Sequence, residues 1–123
     1  MASNVLIVDD SATMRKIVMR GIRQAGFEIG EIKEAGDGVQ ALEVLDGGGV
    51  DVVLSDVNMP NMNGLEFVSA AREKYGDKPP IVMITTEGSE EVVAEAMKKG
   101  ANGYIKKPFT PDKVKEVVGS YFD

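Results

Sequence analysis

Five short apolar runs alternate with five segments whose apolar residues recur at helical spacing. One of the runs, Asn4 to Val8, is continuous and rich in β-branched residues, which is typical of a strand buried on both faces. Val50 to Leu54 is the third predicted strand, with the apolar run Val52 to Leu54. Another run, Ile29 to Ala35, is more polar, so we expect it near a sheet edge. The last two are Ile81 to Ile84 and Gly103 to Lys106. Strands that alternate with helices predict an α/β fold, a parallel sheet covered by helices on both faces.

Each predicted helix begins with a side chain that can cap its first turn. These caps are Ser11, Asp37, Asn63, Ser89 and Thr110. Gln40 and Glu66 lie three residues after two of the caps, which is the spacing of a capping box. The apolar spacing of the fourth helix predicts that it buries Val93, Ala96 and Met97.

Composition excludes several kinds of chemistry. The chain has no Cys and no His, so disulfides, thiolate or imidazole metal sites and His-based catalysis are excluded. With 14 basic and 20 acidic residues the net charge is −6, which argues against a nucleic-acid-binding face. The Gly47 to Gly49 run is interpreted as a loop, because the phosphate-loop pattern Gly-x-x-x-x-Gly-Lys-[Ser/Thr] is absent. Any chemistry must therefore use carboxylates, hydroxyls, Lys, Tyr, the backbone or a bound ion.

The length of the chain, 123 residues, predicts one domain over residues 1–123, with no room for a second. No apolar run is long enough for a signal peptide or a transmembrane span. We therefore expect a cytoplasmic protein that does not enter a membrane.

Charged and hydroxyl side chains follow four of the predicted strands. Asp9 and Asp10 follow the first strand, Asp56 the third, Thr85 the fourth and Lys107 the fifth. Taken singly, each has an ordinary interpretation, as a helix-start acid, a turn residue, a strand residue or a surface cation. Because parallel strands end at one edge of a sheet, all five should converge there, where α/β proteins bind ligands.

Three carboxylates close together repel one another unless a cation lies among them. Oxygen ligands favour Mg²⁺, which takes few carboxylates together with substrate phosphate. We therefore predict that Asp10 and Asp56 hold Mg²⁺, and that Asp9 does so directly or through water. The other oxygen of Asp56 would attack a phosphoryl group whose charge Lys107 neutralises, and Thr85 would hydrogen-bond the phosphoryl oxygens.

Four motifs, in order along the chain, resemble those of the receiver domain of two-component response regulators. They are residues 8–11 (VDDS), 56–64 (DVNMPNMNG), 84–87 (ITTE) and 104–109 (YIKKPF). The resemblance covers essentially the whole chain. It is greatest to the single-domain chemotaxis regulators, through residues 10–11, 13–15, 59–62 and 103–104. It implies a flavodoxin-like, doubly wound sheet of strand order 2-1-3-4-5 with five helices.

The resemblance also implies roles for individual residues. Asp56 would be the phosphoacceptor, with Asp9, Asp10 and the backbone carbonyl of Asn58 in the Mg²⁺ shell. Lys107 would bind the phosphoryl group, with a cis peptide bond to Pro108.

Switching and tuning residues follow from the same resemblance. Thr85 and Tyr104 would be the switch residues. Asn58 and Glu87 would tune hydrolysis of the phosphoryl group in the manner of fast-cycling chemotaxis regulators. Thr86 is bulkier than the residue often found there, and its methyl group would narrow the approach to the phosphoryl group.

The function implied is that of a stand-alone response regulator without an output domain. A histidine kinase would donate the phosphoryl group, and the protein would assist its own phosphorylation and dephosphorylation rather than act as an enzyme. Output would use the face of the fourth helix, fifth strand and last helix. The partner expected there is the flagellar motor switch protein or another protein target, with a phosphatase as a further partner. No nucleic acid partner is expected, and the protein would be a monomer.

Several alternatives stay open. Within the family, the chain would instead serve a phosphorelay, a stress pathway or a phosphate sink outside chemotaxis. An aspartate phosphatase of the haloacid dehalogenase type has a second Asp two residues after its nucleophile, whereas Asp9 is followed by Asp10 and Ser11. A flavodoxin-like FMN module is another alternative, but the Ser/Thr-rich phosphate loop that follows the first strand of such a module is missing here. An adaptor that works without phosphorylation would not need the full set of site residues.

Overall fold

The computed structural model describes residues 3–85, 90–106 and 110–119. Strands and helices alternate along the whole of this part of the chain. The strands are β1 (Ser3–Val8), β2 (Ile29–Ala35), β3 (Val52–Asp56), β4 (Ile81–Thr85) and β5 (Gly103–Lys106). The helices are α1 (Ala12–Gln24), α2 (Gly38–Asp46), α3 (Gly64–Tyr75), α4 (Glu90–Lys99) and α5 (Pro111–Val118). No described helix has the length and apolar character needed to cross a membrane.

All five strands are parallel and lie in the order β2-β1-β3-β4-β5. The predicted fold class and strand order are therefore confirmed. The polar strand β2 lies at one edge, as expected from its composition. The chain adds β2 on one side of β1 and then β3, β4 and β5 on the other, so the topological switch point lies between the ends of β1 and β3, where Val8 pairs with Ser55.

Alternate strand residues enter two separate cores, one on each face of the sheet. Leu6 and Val53 belong to the core that Phe67 of α3 completes. Val5 and Val52 belong to the other core, together with Ile22 of α1. These six side chains are at most 1% exposed. Because both faces are covered, the strand ends are held rigidly, and residues placed there have little freedom to move.

Four of the five predicted caps hold their helices as expected. Ser11, Asp37, Asn63 and Thr110 each accept a hydrogen bond from the backbone N–H three residues later. The capping box at Asn63 and Glu66 is complete. The fifth cap, Ser89, lies outside the described residues.

Three details differ from the sequence-based expectations. The strand expected over Val50 to Leu54 begins and ends two residues later, so Asp56 is its last residue rather than a loop residue. The Gln40 side chain accepts a hydrogen bond from the N–H of Gly36 instead of the N–H of Asp37. Met97, expected inside, is 42% exposed, because α4 turns Ala96 toward the core and Met97 away from it.

Candidate functional site

Three carboxylates meet at the switch point of the sheet. Asp9 and Asp10 directly follow β1, and Asp56 ends the neighbouring strand β3. Each side chain contributes a carboxylate oxygen, and these oxygens all lie within 4.8 Å of one another. Asp9 is buried, Asp56 is partly buried and Asp10 is exposed, so the cluster opens to solvent on one side.

The buried member, Asp9, is held by the backbone around it. It is 4% exposed, and its Oδ1 accepts a hydrogen bond of 2.9 Å from the N–H of Ser11. Arg15 donates a 2.6 Å hydrogen bond from Nη1 to the carbonyl oxygen of Asp9. The same guanidinium donates from Nε to Glu34 on β2, at 2.9 Å. Arg15 therefore ties the end of β1 to the edge strand, a role that the sequence patterns did not reveal.

Asp56 is oriented by its immediate neighbours. Its Oδ1 accepts a hydrogen bond of 2.8 Å from the N–H of Val57, and its carbonyl oxygen accepts one of 2.9 Å from the hydroxyl of Ser55. Ser55 is fully buried, so the end of β3 is anchored in the protein interior. The carboxylate is thus fixed at its base and still reachable from solvent.

The loop after Asp56 returns to the strand end at Gly64. The N–H of Gly64 donates a 2.8 Å hydrogen bond to the carbonyl oxygen of Val57. A Cβ atom on Gly64 would lie 2.2 Å from the carbonyl oxygen of Asp56, so only glycine fits. Asn58 lies in this loop and is exposed.

The structure describes the remaining predicted site residues only in part. Thr85 ends β4, the neighbour of β3, so its backbone lies at the same edge as the three acids. The side chain of Thr85 lies outside what the structure describes, as do Thr86, Glu87, Lys107 and the peptide bond to Pro108. Their predicted roles stay predictions.

Tyr104 does not belong to the carboxylate cluster. It lies on β5, pairs with Met83 of β4 and is 44% exposed. A cavity of about 260 Å³ lies beside its ring, between α4 and β5, and is lined by Glu90, Val93, Ala94, Tyr104 and Lys106. The described structure thus places the predicted switch aromatic beside open space.

The donor set fits a hard divalent cation. All three side chains offer oxygen, and the interior position of Asp9 requires compensation for its charge. Oxygen ligands with room for water are the preference of Mg²⁺ rather than of softer metals. The residues present therefore fit a magnesium ion.

Comparison with known proteins identifies the family. The model of the response regulator receiver domain matches residues 5–119, and the chain belongs to this family. Receiver domains generally bind Mg²⁺ at an acidic pocket, and the cluster of Asp9, Asp10 and Asp56 is such a pocket.

Within the family, the chain is homologous to the CheY chemotaxis regulators. It is 46% identical over 114 residues to the chemotaxis protein CheY1 of Helicobacter pylori, covering 91% of this chain and 90% of that protein. The structure of CheY4 of Vibrio cholerae is 39% identical, with a TM-score of 0.84 over 98% of this chain and 99% of that one. CheY of Borrelia burgdorferi in its CheX–CheY–BeF₃–Mg²⁺ complex is 32% identical, with a TM-score of 0.87 over 96% and 87% of the two chains. The predicted resemblance to chemotaxis receiver domains is confirmed.

Proposed function

We propose that this protein is a chemotaxis response regulator that accepts a phosphoryl group on Asp56 from a histidine kinase, with Mg²⁺ as cofactor. The observation that carries the proposal is the meeting of three carboxylate oxygens, within 4.8 Å, at the switch point of the sheet. The CheY relatives favour chemotaxis over the other pathways that receiver domains serve.

In the proposed reaction, a carboxylate oxygen of Asp56 forms a bond to phosphorus. The bond between phosphorus and the donor breaks at the same centre, and the donor atom keeps that electron pair. The hydrogen bond from the N–H of Val57 to Oδ1 holds the carboxylate in one orientation during the attack. Partial exposure of Asp56 leaves a path for the donor.

Asp9, Asp10, Asp56 and the backbone carbonyl of Asn58 are the residues that would hold Mg²⁺. The bound ion supplies positive charge that offsets the charge of the transferring phosphoryl group. Lys107 adds a second positive charge in this proposal. The buried carboxylate of Asp9 is fixed by the N–H of Ser11 and would therefore offer the ion a ligand of constant orientation.

The protein does not act as an enzyme on an outside substrate in this proposal. It assists formation and hydrolysis of its own acyl phosphate, and the exposed Asn58, two residues after the acceptor, tunes access of water together with Glu87. Thr86 narrows the same approach. A phosphatase is a further proposed partner. CheY of Borrelia burgdorferi forms a complex with a second protein, CheX, which supports binding of an additional protein partner.

Output is proposed to pass from Thr85 to Tyr104 and then to the face of α4, β5 and α5. The cavity beside the exposed Tyr104 ring gives the ring a second position to occupy. A groove on this face combines exposed Met97 and Tyr104 with Lys106 and Lys113. The mixture of apolar and charged groups suits a protein partner, and the motor switch protein is the partner proposed.

Intact mass after incubation with Mg²⁺ and acetyl phosphate tests the proposal. Wild type is expected to gain one phosphoryl group, and EDTA is expected to prevent the gain. Asp56→Asn is expected to gain none, whereas Asp51→Asn, which removes an exposed acid before β3, is the matched control and should behave as wild type. If wild type gains nothing under any condition, the site is vestigial and the adaptor alternative replaces this proposal.

A further inference from the structure

A side-chain hydrogen bond joins the loop after Asp56 to the start of α2. Asn61 donates from Nδ2 to Oδ2 of Asp37, at 2.8 Å, across 24 residues of sequence. The other oxygen of Asp37 accepts a 2.9 Å hydrogen bond from the N–H of Gln40 and so caps α2. Asp37 is 5% exposed, and both hydrogen bonds are partly buried. One buried carboxylate therefore fixes a helix start and a loop at once.

Backbone contacts repeat the connection one residue further along each segment. The N–H of Gly38 donates a 3.0 Å hydrogen bond to the carbonyl oxygen of Met62. A Cβ atom on Gly38 would lie 2.6 Å from Cγ of Met62, so the two segments are in direct contact. We call the four residues Asp37, Gly38, Asn61 and Met62 the clasp.

The clasp holds one end of the loop segment that carries Asn58. Residues 58–60 lie between Val57, which Gly64 holds at the strand end, and Asn61, which Asp37 holds. Asn61 has a φ of +63°, a backbone conformation that side chains other than Gly and Asn rarely adopt. Asn61 is the central residue of a tight turn, which is closed by a 2.6 Å hydrogen bond from the N–H of Met62 to the carbonyl oxygen of Pro60. The path of residues 58–60 thus depends on where Asn61 is held.

The first strand also connects to the clasp. The N–H of Asp9 donates a 3.0 Å hydrogen bond to the carbonyl oxygen of Ala35, at the end of β2. The next residue, Gly36, is held by the side chain of Gln40, and Asp37 follows. Asp37 therefore lies on a route of hydrogen bonds and peptide bonds that leads from Asp9 to the loop that carries Asn58.

We propose that Asp37 and Asn61 are positioning residues for the acidic pocket, which set the place of the Asn58 carbonyl and thereby the affinity for Mg²⁺ and the rate of phosphoryl uptake. This inference rests on the proposed function, in which the backbone carbonyl of Asn58 is one of the Mg²⁺ ligands. Groups that orient a metal ligand from behind it commonly change metal affinity or activity by about 10-fold or more when they are lost.

The test uses an exchange of the two side chains. Asp37→Asn keeps an oxygen that caps α2 but replaces the charged acceptor of the Asn61 amide by a neutral amide, which bonds more weakly. Asn61→Asp places two carboxylates together. The double variant Asp37→Asn/Asn61→Asp restores a donor and an acceptor with the direction reversed, and leaves the net charge unchanged. Glu43→Gln, which removes one exposed charge from the same helix, is the control for charge alone.

Two quantities are measured for each protein: the Mg²⁺ dissociation constant, by NMR titration, and the rate of phosphorylation by acetyl phosphate, by intact mass. We expect each single variant to bind Mg²⁺ about 10-fold more weakly and to be phosphorylated correspondingly more slowly, and the double variant to recover most of both. The inference is overturned if the single variants have the same Mg²⁺ affinity and phosphorylation rate as Glu43→Gln. It is also overturned if the double variant binds Mg²⁺ no more tightly than the single variant with the lower affinity. If wild type binds Mg²⁺ but accepts no phosphoryl group, the proposed function fails while the titration still decides on the clasp.

Discussion

Gly64 lies against the carbonyl oxygen of Asp56 so closely that a Cβ atom would be 2.2 Å from it. The proposed phosphoacceptor and the first residue of α3 are thus in backbone contact. The loop between them has to return to the strand end from which it left. This return keeps the helix start and the acidic pocket in a fixed relation.

Gly64→Ala is expected to destabilise the fold, because the added methyl group meets backbone that cannot move without displacing β3. Overpacking of this kind costs about 1–3 kcal/mol or more in the free energy of unfolding. Urea unfolding followed by circular dichroism measures it. Gly119→Ala is the control: nothing lies within 4 Å of a Cβ there, φ is −54°, and the change should be neutral or slightly stabilising. Equal stabilities for the two variants would contradict the close contact.

Arg72 is expected to contribute far more to stability than the neighbouring Lys74. Its guanidinium donates to the carbonyl oxygens of Gly100 and Pro79, at 2.9 Å each, and to Oδ1 of Asn102 at 2.7 Å. Burial lowers the pKa of Arg72, which reflects its removal from water. Arg72→Met removes these three hydrogen bonds and leaves the carbonyl oxygens of Gly100 and Pro79 without the Arg72 donor, so it should cost at least about 2 kcal/mol in the free energy of unfolding.

Lys74→Met is the matched cation control for Arg72→Met. The Lys74 ion pair with Asp46 is about half exposed on both sides, so its loss should cost under about 1 kcal/mol. Unfolding midpoints in urea distinguish the two variants. A larger loss of unfolding free energy for Lys74→Met than for Arg72→Met would contradict the stabilising role of the Arg72 hydrogen bonds.

Stability that depends on Asp37 is expected to vanish in acid. The hydrogen bond from Asn61, and then that from the N–H of Gln40, lower the pKa of Asp37 below its ordinary value of 3.8. A carboxyl group whose pKa is lower in the folded state stabilises the fold above the unfolded pKa, and the contribution disappears as the pH falls through the folded pKa. The difference in unfolding free energy between wild type and Asp37→Asn should therefore be larger at pH 7 than near pH 3. A difference that does not change with pH would show that the carboxylate form is not favoured.

Neutralising the exposed acid of the pocket should separate stability from Mg²⁺ binding. Asp10→Asn removes repulsion from Asp9 and Asp56, so the metal-free protein should unfold at a higher temperature than wild type. Wild type should gain about 2.7 kcal/mol when Mg²⁺ is present at 100 times its dissociation constant, and the variant should gain less. Thermal unfolding with EDTA and with Mg²⁺ measures both effects. A variant that is less stable without metal would contradict mutual repulsion of the carboxylates.

Tyr104 is expected to become less accessible when the phosphoryl group is mimicked. Its ring is 44% exposed and borders a cavity of about 260 Å³. Selective labelling of Tyr104 and NMR with a soluble paramagnetic probe would compare its exposure before and after addition of Mg²⁺ and beryllium fluoride. Unchanged exposure would remove the proposed coupling between Asp56 and the α4–β5–α5 face.

Local patterns in the sequence predicted the strands, the caps and the sheet edge to which the acids belong, because these depend on residues close together in the chain. The end of β3 was misplaced because Ser55 and Asp56 interrupt the apolar run while still pairing with β4. Met97 was predicted inside because helical spacing identifies an apolar face without showing how much of it a neighbour covers. The Asp37–Asn61 contact joins two loops, and nothing in either loop alone indicates the other.

The hydrogen bonds of Arg72 to Pro79 and Asn102 lie at the amino ends of β4 and β5, whereas the acidic pocket lies at the carboxyl ends of β1 and β3. Mutations that strengthen the fold near Arg72 are therefore separated from the acidic pocket by the length of the strands. We expect that such mutations can raise the thermal stability of the protein without changing the proposed phosphoryl chemistry at Asp56.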